Sequence, residues 1–93
     1  MAGNLKAIPM ELENIEKKIL EFIESEFPNP GEELLSDTNL LEDWFVDSFG
    51  IVNTLMFLET EFAVKMDRSD ITPQNFKSVQ SLSLLVQERI PNS

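Results

Sequence analysis

Ninety-three residues with 17 acidic and 7 basic side chains, a net charge of −10 and 42% hydrophobic content describe one small acidic domain with enough apolar surface to fold. Neither cysteine nor histidine occurs, which excludes a disulfide framework, Ser-His and Cys-His nucleophiles, and the usual zinc sites. No apolar run reaches membrane-spanning length, and the excess of acid repels phosphate backbones and anionic lipid, so nucleic acid and membranes are not expected partners.

Fourteen of the acids lie between Glu11 and Glu61, opposed there only by Lys17 and Lys18. Such a field steers in partners with basic patches, and it also favours solubility. Residues 1–9 hold one lysine and no long apolar segment. They read as a flexible lead-in rather than a signal peptide, leaving 10–91 as a single domain, with the cytoplasm as the expected location and a monomer as the expected state.

The first helix is expected from Met10 to Glu26, with Leu12, Ile15, Ile19, Phe22 and Ile23 on one face. Glu13 and Lys17 have the spacing of an outer ion pair. Phe27 ends the packing, and Pro28, Pro30 and Gly31 stop the helix. A long loop, 28–47, follows. Leu34, Leu35, Leu40 and Leu41 are expected to pin it to the core, and Trp44 to be buried with them. The loop fails as a calcium site: counting from Asp37, Glu42 stands where glycine is needed and Ser48 where glutamate is needed.

The second helix is expected from Ser48 to Phe62. Ile51, Leu55, Leu58 and Phe62 form its core stripe, with Thr54 at the flank. Phe49, Val52 and Met56 point elsewhere and make a second apolar surface beside the serine. Gly50 in the first turn suggests close approach to the serine by another molecule. A polar turn, Asp67 to Asp70, precedes one short helical turn, with Thr72 as cap, Pro73 first, and Ile71 and Phe76 inward. The last helix starts after Ser78 and carries Val79, Leu82, Val86 and Ile90; Pro91 ends it. No strand pattern occurs. The expected fold is all-α: a four-helix bundle of three main helices and one short third helix, with a long loop between the first two.

Asp47-Ser48 is by itself an ordinary helix start, a hydroxyl cap with a favourable charge at the positive helix end. Its surroundings carry more. Glu42-Asp43-x-x-x-Asp47-Ser48-Phe49, the amphipathic helix ending Glu59-Thr60-Glu61-Phe62, and Asp70-Ile71-Thr72-Pro73-Gln74-Asn75-Phe76-Lys77-Ser78-Val79 together resemble the acyl carrier protein family, over about Leu12 to Ile90. Phe45-Val46-Asp47-Ser48-Phe49 is similar to carriers loaded with amino acids, such as D-alanyl carrier proteins. The acyl carrier protein family usually has leucine after the serine and often Leu-Gly where Trp44-Phe45 stand.

The resemblance implies a carrier, not an enzyme. Ser48 would receive 4′-phosphopantetheine from coenzyme A, and the arm's thiol would hold an acyl or aminoacyl thioester. Asp47 would help a phosphopantetheinyl transferase hold Mg²⁺, and the chain would bind no metal of its own. Further partners would be acyl or aminoacyl ligases, synthetases and acyl transferases, met through Phe49, Val52 and Met56, with Glu59 steering. A phosphodiester on Ser48 would sit at a helix N-terminus, which favours an anion. Gly50, Asn53 and Thr60 stand where carriers of fatty-acid synthesis often have acids, which points to a specialised pathway. The large side chains Trp44, Phe45, Phe49 and Phe57 near the arm, with Phe62 and Phe76 further along, suggest a short acyl or amino-acid cargo held outside the bundle. The competing expectation is an unmodified acidic helical adaptor that binds basic proteins through Phe49, Val52 and Met56.

Overall fold

Isoleucines at 15, 19 and 23 recur every four residues, and a helix brings them to one side. That helix, α1, spans Leu12–Glu26, and all three isoleucines are fully buried. The computed structural model describes residues 11–45 and 48–90. The expected start at Met10, the lead-in, Val46, Asp47 and Pro91 therefore lie outside the described residues. The Phe27 amide still donates to Ile23 O at 3.1 Å, and its backbone then turns extended, as the residue before a proline tends to.

After α1 come α2 (Leu40–Asp43), α3 (Ser48–Phe62), a 3₁₀ turn (Arg68–Asp70), α4 (Pro73–Phe76) and α5 (Val79–Arg89), with no strand among the described residues. The all-α bundle is as expected: α1, α3 and α5 are the main helices and α4 the short one. The extra element is α2, inside the long loop. Asn39 starts it, its side chain accepting from the Leu41 amide at 3.0 Å.

Two backbone bonds lash this loop to the α4–α5 junction: Leu40 N donates to Lys77 O at 2.7 Å and Gln80 N to Ser36 O at 2.9 Å. Leu34 and Leu40 are buried and Leu41 is half-buried. Leu35 is a correction, because it is exposed. Its amide donates to Thr38 Oγ1 at 2.8 Å and its carbonyl accepts from Thr38 N at 3.1 Å. That turn holds it outward beside the inward Leu34. Trp44 is buried as expected, at 1% exposure, and its indole N–H donates to Glu32 Oε2 at 3.1 Å. Burying such a side chain stabilises by about 1.5–3 kcal/mol, provided its polar end is satisfied, as it is.

The core face of α3 differs from the expected stripe. Gly50, Thr54, Leu58 and Phe62 are buried, while Ile51 and Leu55 are half-buried. Thr54 is thus central rather than flanking. Its hydroxyl donates to Gly50 O at 2.8 Å, which makes a buried threonine tolerable. A hydrophobicity pattern passes over Gly50 and Thr54, yet small residues lie inward because aromatic rings come close to the α3 backbone. Those rings form a seam between α1 and α3. Phe45 meets Phe27, Phe27 meets Phe22, Phe22 stacks on Phe57 at 4.0 Å between centroids, and Phe57 meets Phe62 edge-on. Phe57 is nine residues beyond Ser48, about 13 Å along the helix axis, so it is not near the arm's expected attachment.

Past α3, Ala63 adopts a left-handed backbone (φ 53°), which turns the chain so that Val64 is buried. Thr72 caps α4 by accepting from Asn75 N at 3.1 Å, and Ser78 caps α5 by accepting from Ser81 N at 3.1 Å, both as expected. Phe76 points inward, while Ile71 is only half-buried. Val79, Leu82, Leu85 and Val86 face the core, and so does Ser83, whose hydroxyl donates to Val79 O at 2.7 Å. Among the described residues, the expected Glu13–Lys17 pair is not formed. Lys18 instead reaches Glu61 across the α1–α3 seam at 3.3 Å. Neither arrangement moves stability much, since pairs this exposed contribute roughly 0–1 kcal/mol.

Candidate functional site

Ser48 is the first residue of α3 and is exposed. The same residue therefore opens a 15-residue helix and faces solvent. A helix start is electropositive, so a group that brings negative charge is favoured there. Asp47, the expected companion of the serine, lies outside the described residues.

Phe49 follows, 75% exposed, and Val52 and Met56 continue the same edge at 45% and 58%. Their i, i+3, i+7 spacing puts them on one side of the helix. Three large apolar side chains in a row on the solvent side of the helix form an exposed strip. Glu59 lies one turn beyond Met56 but is not simply a surface charge. It is half-buried, and Oε2 accepts from Met66 N at 3.1 Å, which holds the chain leaving α3.

Gly50 has a role that sequence reasoning assigned differently. The expectation was an outside molecule approaching the serine. In the fold, Gly50 is buried, and the approach comes from within. A Cβ at this position would lie 3.0 Å from Phe27 Cε1 and 3.3 Å from Phe45 Cδ1. The signal in the sequence was the glycine itself, where a helix interior disfavours it by about 1 kcal/mol relative to alanine. What the sequence could not supply was the pair of rings, one 23 residues away.

Between α2, the first turn of α3 and α4 lies an apolar pocket of about 170 Å³, lined by Leu41, Ile51, Ile71, Thr72, Pro73 and Phe76. Ile51 is three residues, one helical turn, beyond Ser48, so the pocket opens beside the helix turn that bears the serine. Phe49, by contrast, faces solvent and does not line the interior, which corrects its inclusion among the residues expected to fill it. Among the described residues, no group of three or more acidic side chains is arranged to hold a metal ion, and no helix is long and apolar enough to cross a membrane.

No family model matches the chain. Individual relatives do. The chain is 30% identical over 79 residues to the acyl carrier protein of Buchnera aphidicola subsp. Baizongia pistaciae, covering 85% of this chain and 99% of the relative. It is 36% identical over 74 residues to a probable acyl carrier protein, PigG, of a Serratia species, covering 78% and 85%. It is also 36% identical over 50 residues to aminoacyl carrier protein 1 of Bradyrhizobium diazoefficiens, covering 54% and 56%. All three carry the name of a carrier and none that of an enzyme, and the first two matches span most of each partner in the alignment. On that coverage, and with an all-α bundle in place, the chain belongs to the acyl carrier protein family.

Proposed function

We propose that Ser48 carries a 4′-phosphopantetheine arm and that the chain presents a short acyl or aminoacyl thioester to the enzymes of a specialised pathway. The observation that carries this reading is an exposed serine as the first residue of α3, in a chain of the carrier family. The residues present fit the group. The hydroxyl is open to solvent, the helix start favours the phosphodiester charge, and the chain has no cysteine to compete for the cargo. The arm, once attached, supplies the thiol on which the thioester is held. Asp47 is assigned to Mg²⁺ recognition by the transferase. Ser48 needs no base of its own, because the transferase activates it.

Intact mass after incubation with coenzyme A and a broad-specificity phosphopantetheinyl transferase tests the reading directly. One added phosphopantetheinyl group is expected. An unchanged mass with several transferases would leave the unmodified adaptor as the better account.

Phe49, Val52 and Met56 are assigned to partner docking, with the acids acting mainly on encounter. Met56→Ala is expected to raise the transferase KM by about five-fold or more, as loss of an apolar hot spot does. Glu59 is tested by Glu59→Gln, which keeps an acceptor for Met66 N and removes only the charge. That variant is expected to change the rate modestly, and the change should vanish at high salt. Loss of activity in Glu59→Gln with none in Met56→Ala would reverse the assignment.

The specialised pathway is supported by the low acidity of α3. Asn53 and Thr60 are exposed where an acid would reach a partner, and a carboxylate at Gly50 would be buried against two phenyl rings. The short cargo is supported by the packed core beyond the apolar pocket of about 170 Å³ that adjoins the serine-bearing turn. Trp44, Phe45, Phe62 and Phe76 are all buried, and close-packed interiors resist added volume. The partial match to an aminoacyl carrier protein agrees with an amino-acid cargo. Acetyl- and twelve-carbon-loaded forms are expected to melt within a few degrees of each other and to differ in amide spectra only near α3 and α4. A large rise in midpoint and core-wide spectral change with the long chain alone would show it to be taken inside.

A further inference from the structure

The first turn of α3 has an exposed side and a buried side. Ser48 and Phe49 face solvent, while Gly50, two residues from the serine, is buried. The rings that cover Gly50 come from two separate segments. Phe27 is the residue that ends α1, and Phe45 lies three residues before the serine at the end of the long loop. These two rings also touch each other, with centroids 5.3 Å apart, so they form one surface rather than two independent contacts. A second restraint acts on the carbonyl of the same residue, which accepts the buried Thr54 hydroxyl at 2.8 Å. Gly50 is thus the point at which the serine-bearing turn is seated.

We infer that Gly50, Phe27 and Phe45 form a positioning device for Ser48: the missing Cβ lets the two rings fix the height and tilt of the turn, and so the place of the hydroxyl relative to a docked transferase. This rests on the reading of Ser48 as the modified residue. Ordinary helix propensity favours alanine over glycine, so nothing local asks for glycine here. A methyl group at 3.0 Å from Phe27 Cε1 forces either the ring or the turn to move. Phe27 is braced against Phe22 as well as Phe45, and Phe22 is itself stacked on Phe57, so the ring is backed by the whole seam. With the ring backed in this way, the turn that carries the exposed Ser48 and Phe49 is the part that gives. Small displacements of a reacting group lower the rate of the chemical step without weakening the docking.

The test is the steady-state rate of phosphopantetheinyl transfer to Gly50→Ala, with wild type run alongside. The expected result is a kcat lower by about ten- to a hundred-fold with KM within about two-fold of wild type, because Phe49, Val52 and Met56 still dock. Adding Phe27→Leu to Gly50→Ala vacates space for the methyl group and is expected to recover most of the lost kcat. A merely structural role would instead lower the melting midpoint without changing the rate for the folded fraction. An unchanged kcat in Gly50→Ala, or a loss that the second substitution does not recover, overturns the inference. If Gly50→Ala does not fold, Thr54→Val takes its place. Loss of the hydroxyl bond to Gly50 O is then expected to lower kcat a few-fold at constant KM, and an unchanged kcat overturns the inference. Modification of the wild type in the same assay separates these outcomes from failure of the carrier reading itself.

Discussion

Ser48→Ala is expected to keep its unmodified mass under conditions in which every wild-type molecule gains one phosphopantetheinyl group. The effect is all or none because transfer needs a hydroxyl nucleophile, and alanine has none. The other serines of the described residues differ from Ser48 in ways that matter to a transferase. Ser36 is half-buried in a turn of the long loop, where its carbonyl accepts from Gln80 N at 2.9 Å, and it starts no helix. Ser78 and Ser83 are buried, Ser81 caps with Ser78, and the Ser25 hydroxyl donates to Phe22 O at 3.1 Å near the end of α1, where the helix dipole disfavours an anion. Ser69 is exposed but sits in a three-residue 3₁₀ turn with no long helix behind it. The expected mass spectrum is therefore a single shifted species for wild type and an unshifted one for the variant, with matching circular dichroism. A shifted Ser48→Ala would move the arm to another residue and leave the site assignment wrong, even with the carrier role intact.

Asp70→Ala is expected to be the most destabilising single change outside the apolar core, by about 3 kcal/mol, because it removes a buried carboxylate with two partners, the Asp67 amide and the Arg89 guanidinium. Asp70 is 5% exposed. One oxygen, Oδ2, accepts from Asp67 N at 2.8 Å, closing a reciprocal cap with the Asp67 side chain. The other, Oδ1, pairs with the guanidinium of Arg89 in the last turn of α5. Its carbonyl accepts from Asn75 Nδ2 at 2.9 Å in α4. One residue thus ties the 3₁₀ turn, α4 and the end of α5 together. Arg89 retains access to water, so stranding it costs less than stranding a buried cation would. For a domain of this size the loss corresponds to a fall in Tm of roughly 10–20 °C. Asp70→Asn, which keeps an acceptor but not the charge, should fall between wild type and Asp70→Ala. A double-mutant cycle with Arg89→Ala isolates the ion pair from the cap. A change in Tm of less than about 3 °C for Asp70→Ala would mean that the cap and pair contribute little net stability, as happens when desolvation cancels attraction.

Local signals in the sequence were sufficient for the elements themselves. Proline after Phe27, the hydroxyls of Thr72 and Ser78, and the apolar period of α1 act over a few residues, and the helices begin and end close to where those residues place them. The serine at the head of α3 and the strip Phe49, Val52 and Met56 were legible for the same reason, since helical spacing alone puts them on a side the core stripe does not use. The family was legible because its motifs lie at fixed spacing along one chain. Tertiary structure alone decided what depends on pairs of distant residues. Leu35 faces out because Thr38 closes a turn on it. Asp70 became a hub because α5 brings Arg89 back across 19 positions. The buried line of α3 runs through Gly50 and Thr54 because Phe27 and Phe45 converge on its backbone from two other segments, and glycine and threonine carry too little apolar surface for any period to reveal that. A side chain's hydrophobicity is a property of its own position, whereas the need for a small residue is imposed by whatever the fold packs against it.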